Sequence, residues 1–304
     1  MVDRVPYDEF AYFHENAEEF DLPYSGPPVV RREQVAMEPG RSLSALVWGE
    51  APPEVVLIHG GAQNAHTWDT VALALGRPLV AVDLPNHGHS DGGRDGSFGP
   101  RAAAEDVAVA IEALAPNAQA VVGMSLGGLT AIALSALRPD LVRALVLVDV
   151  TPGVDDTKAK DVIDFIDGPP SFPSLDDLLA RTVEFNPTRS ESSLRRGILH
   201  NAAQQDDGTW VWRWARFRRD AAPDAARPMH EFENLWDAVS NLQVPVMLVR
   251  GMRPQSVVDD ADEAELLRRQ PGARIEHVAD AGHSVQGDTP VELARLIDSF
   301  VPTR

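Results

Sequence analysis

The stretch Gln119-Ala120-Val121-Val122-Gly123-Met124-Ser125-Leu126-Gly127-Gly128 decides the fold of this chain. A short apolar run stops at Gly123, a serine follows two residues later, and an Ala- and Leu-rich segment starts at Leu126. The pattern is G-x-S-x-G between a strand and a helix. It predicts a buried strand, a sharp turn that holds Ser125 in a strained backbone conformation, and a helix leaving that turn. Glycine is required two residues to either side, because a Cβ at Gly123 or Gly127 would strike the neighbouring strand or helix. A serine presented in this way is the candidate nucleophile. A glycine-rich packing turn would share the pattern but would have no matching histidine downstream.

Outward from this turn, short apolar runs alternate with amphipathic segments. Val55–His59, Leu79–Val82, Ala120–Val122 and Ala144–Val148 read as strands, and His66–Leu75, Arg101–Leu114 and Leu126–Leu137 carry helical periodicity. Strands this apolar are buried on both faces, as in a parallel sheet covered by helices. Two further strands, about 29–37 and 42–48, precede them and are joined by a Pro39-Gly40 turn. The alternation pauses from about 151 to 240 and resumes with Val244–Val249, a helix near 260–269, a strand near 274–278 and a helix from 290.

The expected architecture is therefore α/β, a mostly parallel doubly wound sheet with a helical lid inserted after strand six. Its parts are an acidic, aromatic extension (1–28), a core (29–150 and 241–304) and the lid (151–240). Within the pause, Ser174–Phe185 and Ser190–Ala203 read as helices. Trp210, Trp212 and Trp214, at period two, read as an extended piece packing one apolar face, followed by Arg216, Arg218 and Arg219. The extension holds Phe10, Tyr12, Phe13 and Phe20 in a helix-like stretch expected to pack on the domain surface.

Composition narrows the function classes. The chain has 304 residues, a formal net charge of −19, and only two lysines, Lys158 and Lys160. That balance disfavours nucleic acid and anionic membranes as partners. No apolar run is long enough to span a bilayer, so no membrane insertion is expected. There is no cysteine, which removes thiolate nucleophiles and thiolate metal sites. The N-terminal residues are acidic and lack an apolar signal segment, so the expectation is a cytoplasmic monomer or homodimer that acts on a small molecule without a cofactor.

A serine hydroxyl needs a neighbouring base, and the base needs an orienting acid. Among nine histidines, His283 in Ala279-Asp280-Ala281-Gly282-His283-Ser284 lies in a loop after the strand 274–278, where it could reach the turn. His277 lies within that strand, and His200 and His230 belong to the insertion. Tetrahedral intermediates also need backbone donors. The loop His59-Gly60-Gly61-Ala62 supplies one, with Gly61 N–H preferred and Ala62 second. Leu126 N–H, at the start of the helix, supplies the other. His59 is expected to bond loop backbone beneath the site. His87 and His89 share a loop, and no carboxylate–histidine set with zinc spacing accompanies them.

His59-Gly60-Gly61, Val82-Asp83-Leu84-Pro85-Asn86-His87-Gly88-His89-Ser90, Gly123–Gly128 and Ala281-Gly282-His283 occur in the order seen in enzymes of the α/β-hydrolase fold, which the chain resembles over about 29–304. In that family the acid usually sits in a turn directly after the seventh core strand. Here the turn, Arg250-Gly251-Met252-Arg253-Pro254-Gln255-Ser256-Val257-Val258, has no carboxylate before Asp259. Two placements stay open. Asp259 or Asp260 opens the next helix, where acidic residues also serve as caps. Asp149 lies at the tip of strand six, where a subset of esterases with this fold keeps its acid while a serine such as Ser256 takes the usual acid position. Asp149 is preferred. For Asp83, a loop-fixing role is preferred.

The resemblance implies a serine hydrolase of carboxylic esters or related small acyl compounds, working through an acyl-enzyme on Ser125 with His283 as base. A carbon–carbon bond hydrolase or cofactor-free perhydrolase would use the same triad, and a non-catalytic receptor on this scaffold could retain it.

Overall fold

The computed structural model describes residues 4–38, 40–97, 99–214, 232 and 235–301. Helix α1 (Phe13–Glu19) precedes β1 (Val30–Met37) and β2 (Arg41–Trp48), and then β3 (Val55–Ile58) begins the alternation. It continues through α2 (Asp69–Leu75), β4 (Leu79–Val82), α3 (Pro100–Leu114), β5 (Ala120–Met124), α4 (Leu126–Leu137) and β6 (Leu145–Val148). The insertion carries α5 (Lys160–Ile166), β7 (Ser171–Phe172), α6 (Leu175–Phe185), α7 (Glu191–Asn201), β8 (Ala202–Gln204) and β9 (Trp210–Trp212). After α8 (Leu235–Ser240) come β10 (Val246–Gly251), α9 (Asp260–Arg269), β11 (Arg274–Val278), α10 (Val285–Asp288) and α11 (Pro290–Phe300).

Eight strands form one sheet in the order β1-β2-β4-β3-β5-β6-β10-β11. Only β1–β2 and β2–β4 pair antiparallel; β3, β4, β5, β6, β10 and β11 run parallel. Successive side chains of a strand point to opposite faces, and the central strands bury both. Val56, Ile58, Val121 and Leu147 face α3 and α4, through Val107, Ile111, Leu129 and Ile132. Val55, Leu57, Val122 and Val148 face Trp68, Val71, Leu293 and Ile297. This two-sided burial explains why these strands read as unbroken apolar runs rather than alternating ones.

The insertion carries helices, as expected, and the extended tryptophan segment is one strand of a three-stranded antiparallel sheet, β7-β9-β8. Trp210, Trp212 and Trp214 are all buried there, in one cluster with Phe172, Leu178, Leu194 and Ile198. Helix α8, assigned by sequence to the insertion, packs on the core through Leu235 and Val239. Arg216, Arg218, Arg219 and His230 lie outside the described residues.

The N-terminal extension touches both parts. Phe13 is buried against Trp48 at 5.0 Å between ring centroids, whereas Tyr7 and Tyr12 pack on the insertion's cluster. Arg196 of α7 pairs with Glu15 and Glu19 of the extension. Among the described residues, no helix is long and apolar enough to cross a membrane.

Candidate active site

The turn after β5 has the strain its sequence predicts. Ser125 has φ 50° and ψ −122°, a region that a non-glycine residue occupies only when its surroundings enforce it. A Cβ on Gly123 would lie 2.4 Å from the Gly127 carbonyl oxygen, and one on Gly127 would lie 2.2 Å from that of Ile58. Helix α4 can therefore start against β3 only because both positions lack a side chain.

His283 follows β11 and points back across the carboxyl edge of the sheet. Its Nδ1 lies 2.9 Å from Asp149 Oδ2. A carboxylate can only accept there, so Nδ1 carries the proton and Nε2 is left as a base. Asp149 is fully buried, and three further donors hold it. Gly251 N–H and Ser256 Oγ–H reach Oδ1 at 2.9 and 2.6 Å, and Val257 N–H reaches Oδ2 at 3.0 Å. Asp149 itself adopts a positive φ of 47°. Ser125 and His283 line one cavity of about 140 Å³ together with Gly61, Phe165, Ile166 and Phe185. No hydrogen bond joins the serine to the histidine here. Such contacts are commonly loose until substrate tightens them.

The other two acids face elsewhere. Asp259 caps α9, accepting from Asp262 N–H at 2.9 Å in a reciprocal capping box, and pairs with Lys158 at 3.0 Å. The bond from Asp262 N–H, reinforced by Lys158, pulls its carboxyl below the usual range. The Asp260 side chain is 97% exposed and pairs with Arg250. Neither meets His283.

Backbone donors divide as the chemistry of the loop requires. Among the described residues, the N–H groups of Gly61 and Leu126 make no hydrogen bond, but Ala62 N–H donates to His87 Nε2 at 3.1 Å. His59 accepts from Leu84 N–H at 2.9 Å and donates to the Gly60 carbonyl at 2.7 Å, so it ties the loop down from beneath. Burial lowers the basicity of His59 and His87, as suits rings that must keep one nitrogen unprotonated. Asp83 accepts from Ala65 and His89 N–H and pairs with Arg32 at 2.8 Å, which makes it a loop anchor.

Sequence reasoning did not find the Gly251 and Val257 donors to Asp149, since backbone groups leave no side-chain signature. It also passed over a buried trio, His66, Asp69 and His200. The His-x-x-Asp spacing at 66–69 was the one local sign.

This fold and this arrangement at the sheet's carboxyl edge define a class. Residues 55–296 match the alpha/beta hydrolase family, and the chain belongs to it. It is an enzyme, a hydrolase of ester substrates. The esterase Rv0045c of Mycobacterium tuberculosis is 45% identical over 305 residues, spanning 98% of this chain and 97% of the relative. A solved structure of that esterase, from work on its transition-metal inhibition and structural refinement, matches with a TM-score of 0.82 at 43% identity, covering 98% of this chain and 100% of the other. The sn-1-specific diacylglycerol lipase ABHD11 of Mus musculus is 27% identical over 267 residues, 84% of this chain and 83% of its own length.

Proposed function

We propose that this enzyme cleaves carboxylic esters of small acyl groups through an acyl-enzyme on Ser125, with His283 as base and Asp149 as the acid that orients it. The observation that carries the reading is the 2.9 Å contact between His283 Nδ1 and Asp149, with Ser125 on the wall of the same cavity. His283 Nε2 takes the Ser125 proton as Oγ attacks the ester carbonyl. The developing oxyanion is met by Gly61 and Leu126 N–H, both uncommitted and the second at the positive end of α4. Collapse expels the alcohol, which receives the proton back from Nε2. Water then repeats the cycle and releases the acid.

The insertion, read from the sequence as 151–240, acts as the lid, and its described residues 151–214 include the part that reaches the cavity. Val162, Phe165, Ile166 and Phe185, from α5 and α6, face Ser125 across the cavity and offer an apolar wall for the acyl chain. Hydrolysis of p-nitrophenyl butyrate and labelling by a fluorophosphonate probe test the reading. Ser125→Ala should lose both while its thermal unfolding stays near that of the parent. Turnover that survives this substitution would remove Ser125 from the mechanism.

A further inference from the structure

A second cavity of about 160 Å³ lies beside the Ser125 cavity, between the core and the insertion, and shares Gln63, Phe165, Asn186 and Ser284 with it. His66, Asp69 and His200 all line it. His66 comes from the turn leading into α2, Asp69 from the first residue of α2 and His200 from α7, and all three are buried. One ligand atom from each lies within 4.8 Å of the others. Asp69 Oδ2 is 2.9 Å from His66 Nδ1 and 3.9 Å from His200 Nε2. The remaining oxygen, Asp69 Oδ1, is buried and has no hydrogen-bond partner among the described residues. A buried carboxylate oxygen left in that state marks a missing partner.

The outer ring nitrogens are held as metal-binding imidazoles usually are, by a carboxylate or hydroxyl on the far side. His66 Nε2 faces Glu9 Oε2 and Arg32 Nη2, each at 3.2 Å, and His200 Nδ1 meets the Tyr7 hydroxyl at 2.9 Å. Glu9 and Asp83 pair directly with the Arg32 guanidinium, whereas Asp69 is paired to the two imidazoles. Two imidazole nitrogens and one carboxylate suit Zn2+ and its first-row neighbours, and the cavity leaves room for water as the remaining ligand.

We propose that His66, Asp69 and His200 form a binding site for a divalent cation of the Zn2+ type, joining the core to α7 of the insertion. The two rings are stacked, 3.9 Å between centroids and 12° between planes. Both nitrogens can aim at one ion only if the rings fan apart, so loading moves His200, and with it α7, relative to the turn that carries His66.

The test is titration of the full-length, metal-stripped protein with Co2+, read by its visible ligand-field absorption, and with Zn2+ by calorimetry. The expected result is one saturable site per chain and a thermal midpoint that rises with metal concentration. His66→Ala, Asp69→Asn and His200→Ala should each weaken binding about tenfold or more, and Tyr7→Phe, which leaves all three ligands in place, about tenfold. His283→Ala should leave the Co2+ spectrum unchanged, which separates this site from the catalytic histidine. Absence of a saturable Co2+ signal in the parent protein would overturn the proposal. So would a signal that disappears in His283→Ala and persists in Tyr7→Phe and His200→Ala.

Discussion

Replacing Asp149 with Asn probes the proposed triad most directly, because the geometry fixes what an amide can and cannot do there. Each carboxylate oxygen takes two donors, Gly251 N–H and Ser256 Oγ–H on one, Val257 N–H and His283 Nδ1–H on the other. An amide keeps one oxygen. If its NH2 replaces Oδ2, Val257 N–H is orphaned and His283 must turn Nδ1 into an acceptor, which moves the proton to Nε2 and removes the base. If NH2 replaces Oδ1, Ser256 can rotate to accept, Gly251 N–H is orphaned, and His283 keeps its tautomer but faces a neutral group. Either way one buried N–H loses its acceptor, at a cost of about 1–3 kcal/mol in stability.

The rate effect follows from charge. At an effective dielectric of about 20, unit charges about 4 Å apart attract by about 4 kcal/mol, so the imidazolium formed at the transition state loses about three decades of stabilisation. A tautomer change would extend that to about four decades. The assay is kcat for p-nitrophenyl butyrate, run beside Asp259→Asn and Asp260→Asn. Asn caps a helix as well as Asp does and Asp260 is solvent-exposed, so both controls should turn over like the parent. The reasoning is refuted if Asp149→Asn stays within about tenfold of the parent while either control falls about a hundredfold.

Ser256→Ala removes one donor to Asp149 and leaves the other three, so kcat should drop about tenfold, the lower end for a hydrogen bond to a charged group; an unchanged rate would make Ser256 a bystander. Gly127→Ala forces a Cβ within 2.2 Å of the Ile58 carbonyl oxygen and should cost about 3 kcal/mol or prevent folding. Gly61→Ala, whose nearest neighbour would be Leu126 Cδ2 at 3.9 Å, should leave the urea midpoint almost unmoved; equal losses in the two variants would contradict the collision argument. Acid should destabilise the loops beneath the site. Burial lowers the basicity of His59 and His87, and burial with Arg32 nearby brings His89 down to about 4. Folded values lie below the unfolded value of about 6.5, so the unfolded chain binds protons first and stability falls as pH drops from about 6.5 towards 4. Asp83, facing His59 and His89, opposes this without cancelling it. Urea midpoints at pH 7.5 and 5.0 check the sign, and a higher midpoint at the lower pH would refute it.

The parts of the fold that were legible in the sequence share one physical cause. Strands β3 to β6 are short and buried on both faces, so their apolar runs had no competing reading. The Ser125 turn was equally plain because backbone collisions demand Gly123 and Gly127. What stayed hidden depended on packing between distant segments. Strand β7 is the two residues Ser171 and Phe172, too short to show a period, so the small sheet of the insertion could not be foreseen. Helix α8 joins the core through Leu235 and Val239, two positions that do not say which apolar surface they meet. Asp259 stood as an alternative acid because a helix cap and a triad acid can both be a single Asp near a strand end, and the sequence does not say which residue it faces. His66, Asp69 and His200 are united only when α7 folds back over the turn before α2.

The position of Asp149 beside His283 follows from the sheet order. Strand β10 lies between β6 and β11, with Val148 level with Val249 and Gly251 level with Val278. The tips of β6 and β10 are therefore neighbours, and a carboxylate at either could reach a histidine in the loop after β11. Gly251 decides between them. A Cβ there would lie 2.2 Å from the Gly282 carbonyl oxygen, so the histidine loop closes directly over the end of β10. Asp149 enters from the adjacent strand instead, its N–H bonded to Val249 carbonyl at 2.8 Å and its positive φ turning the carboxylate under Gly251 N–H. Gly251→Ala should push the loop away and lengthen the His283–Asp149 contact, lowering kcat while leaving Ser125 open to fluorophosphonate access. A variant with full turnover would show that this close approach does not hold the histidine in place.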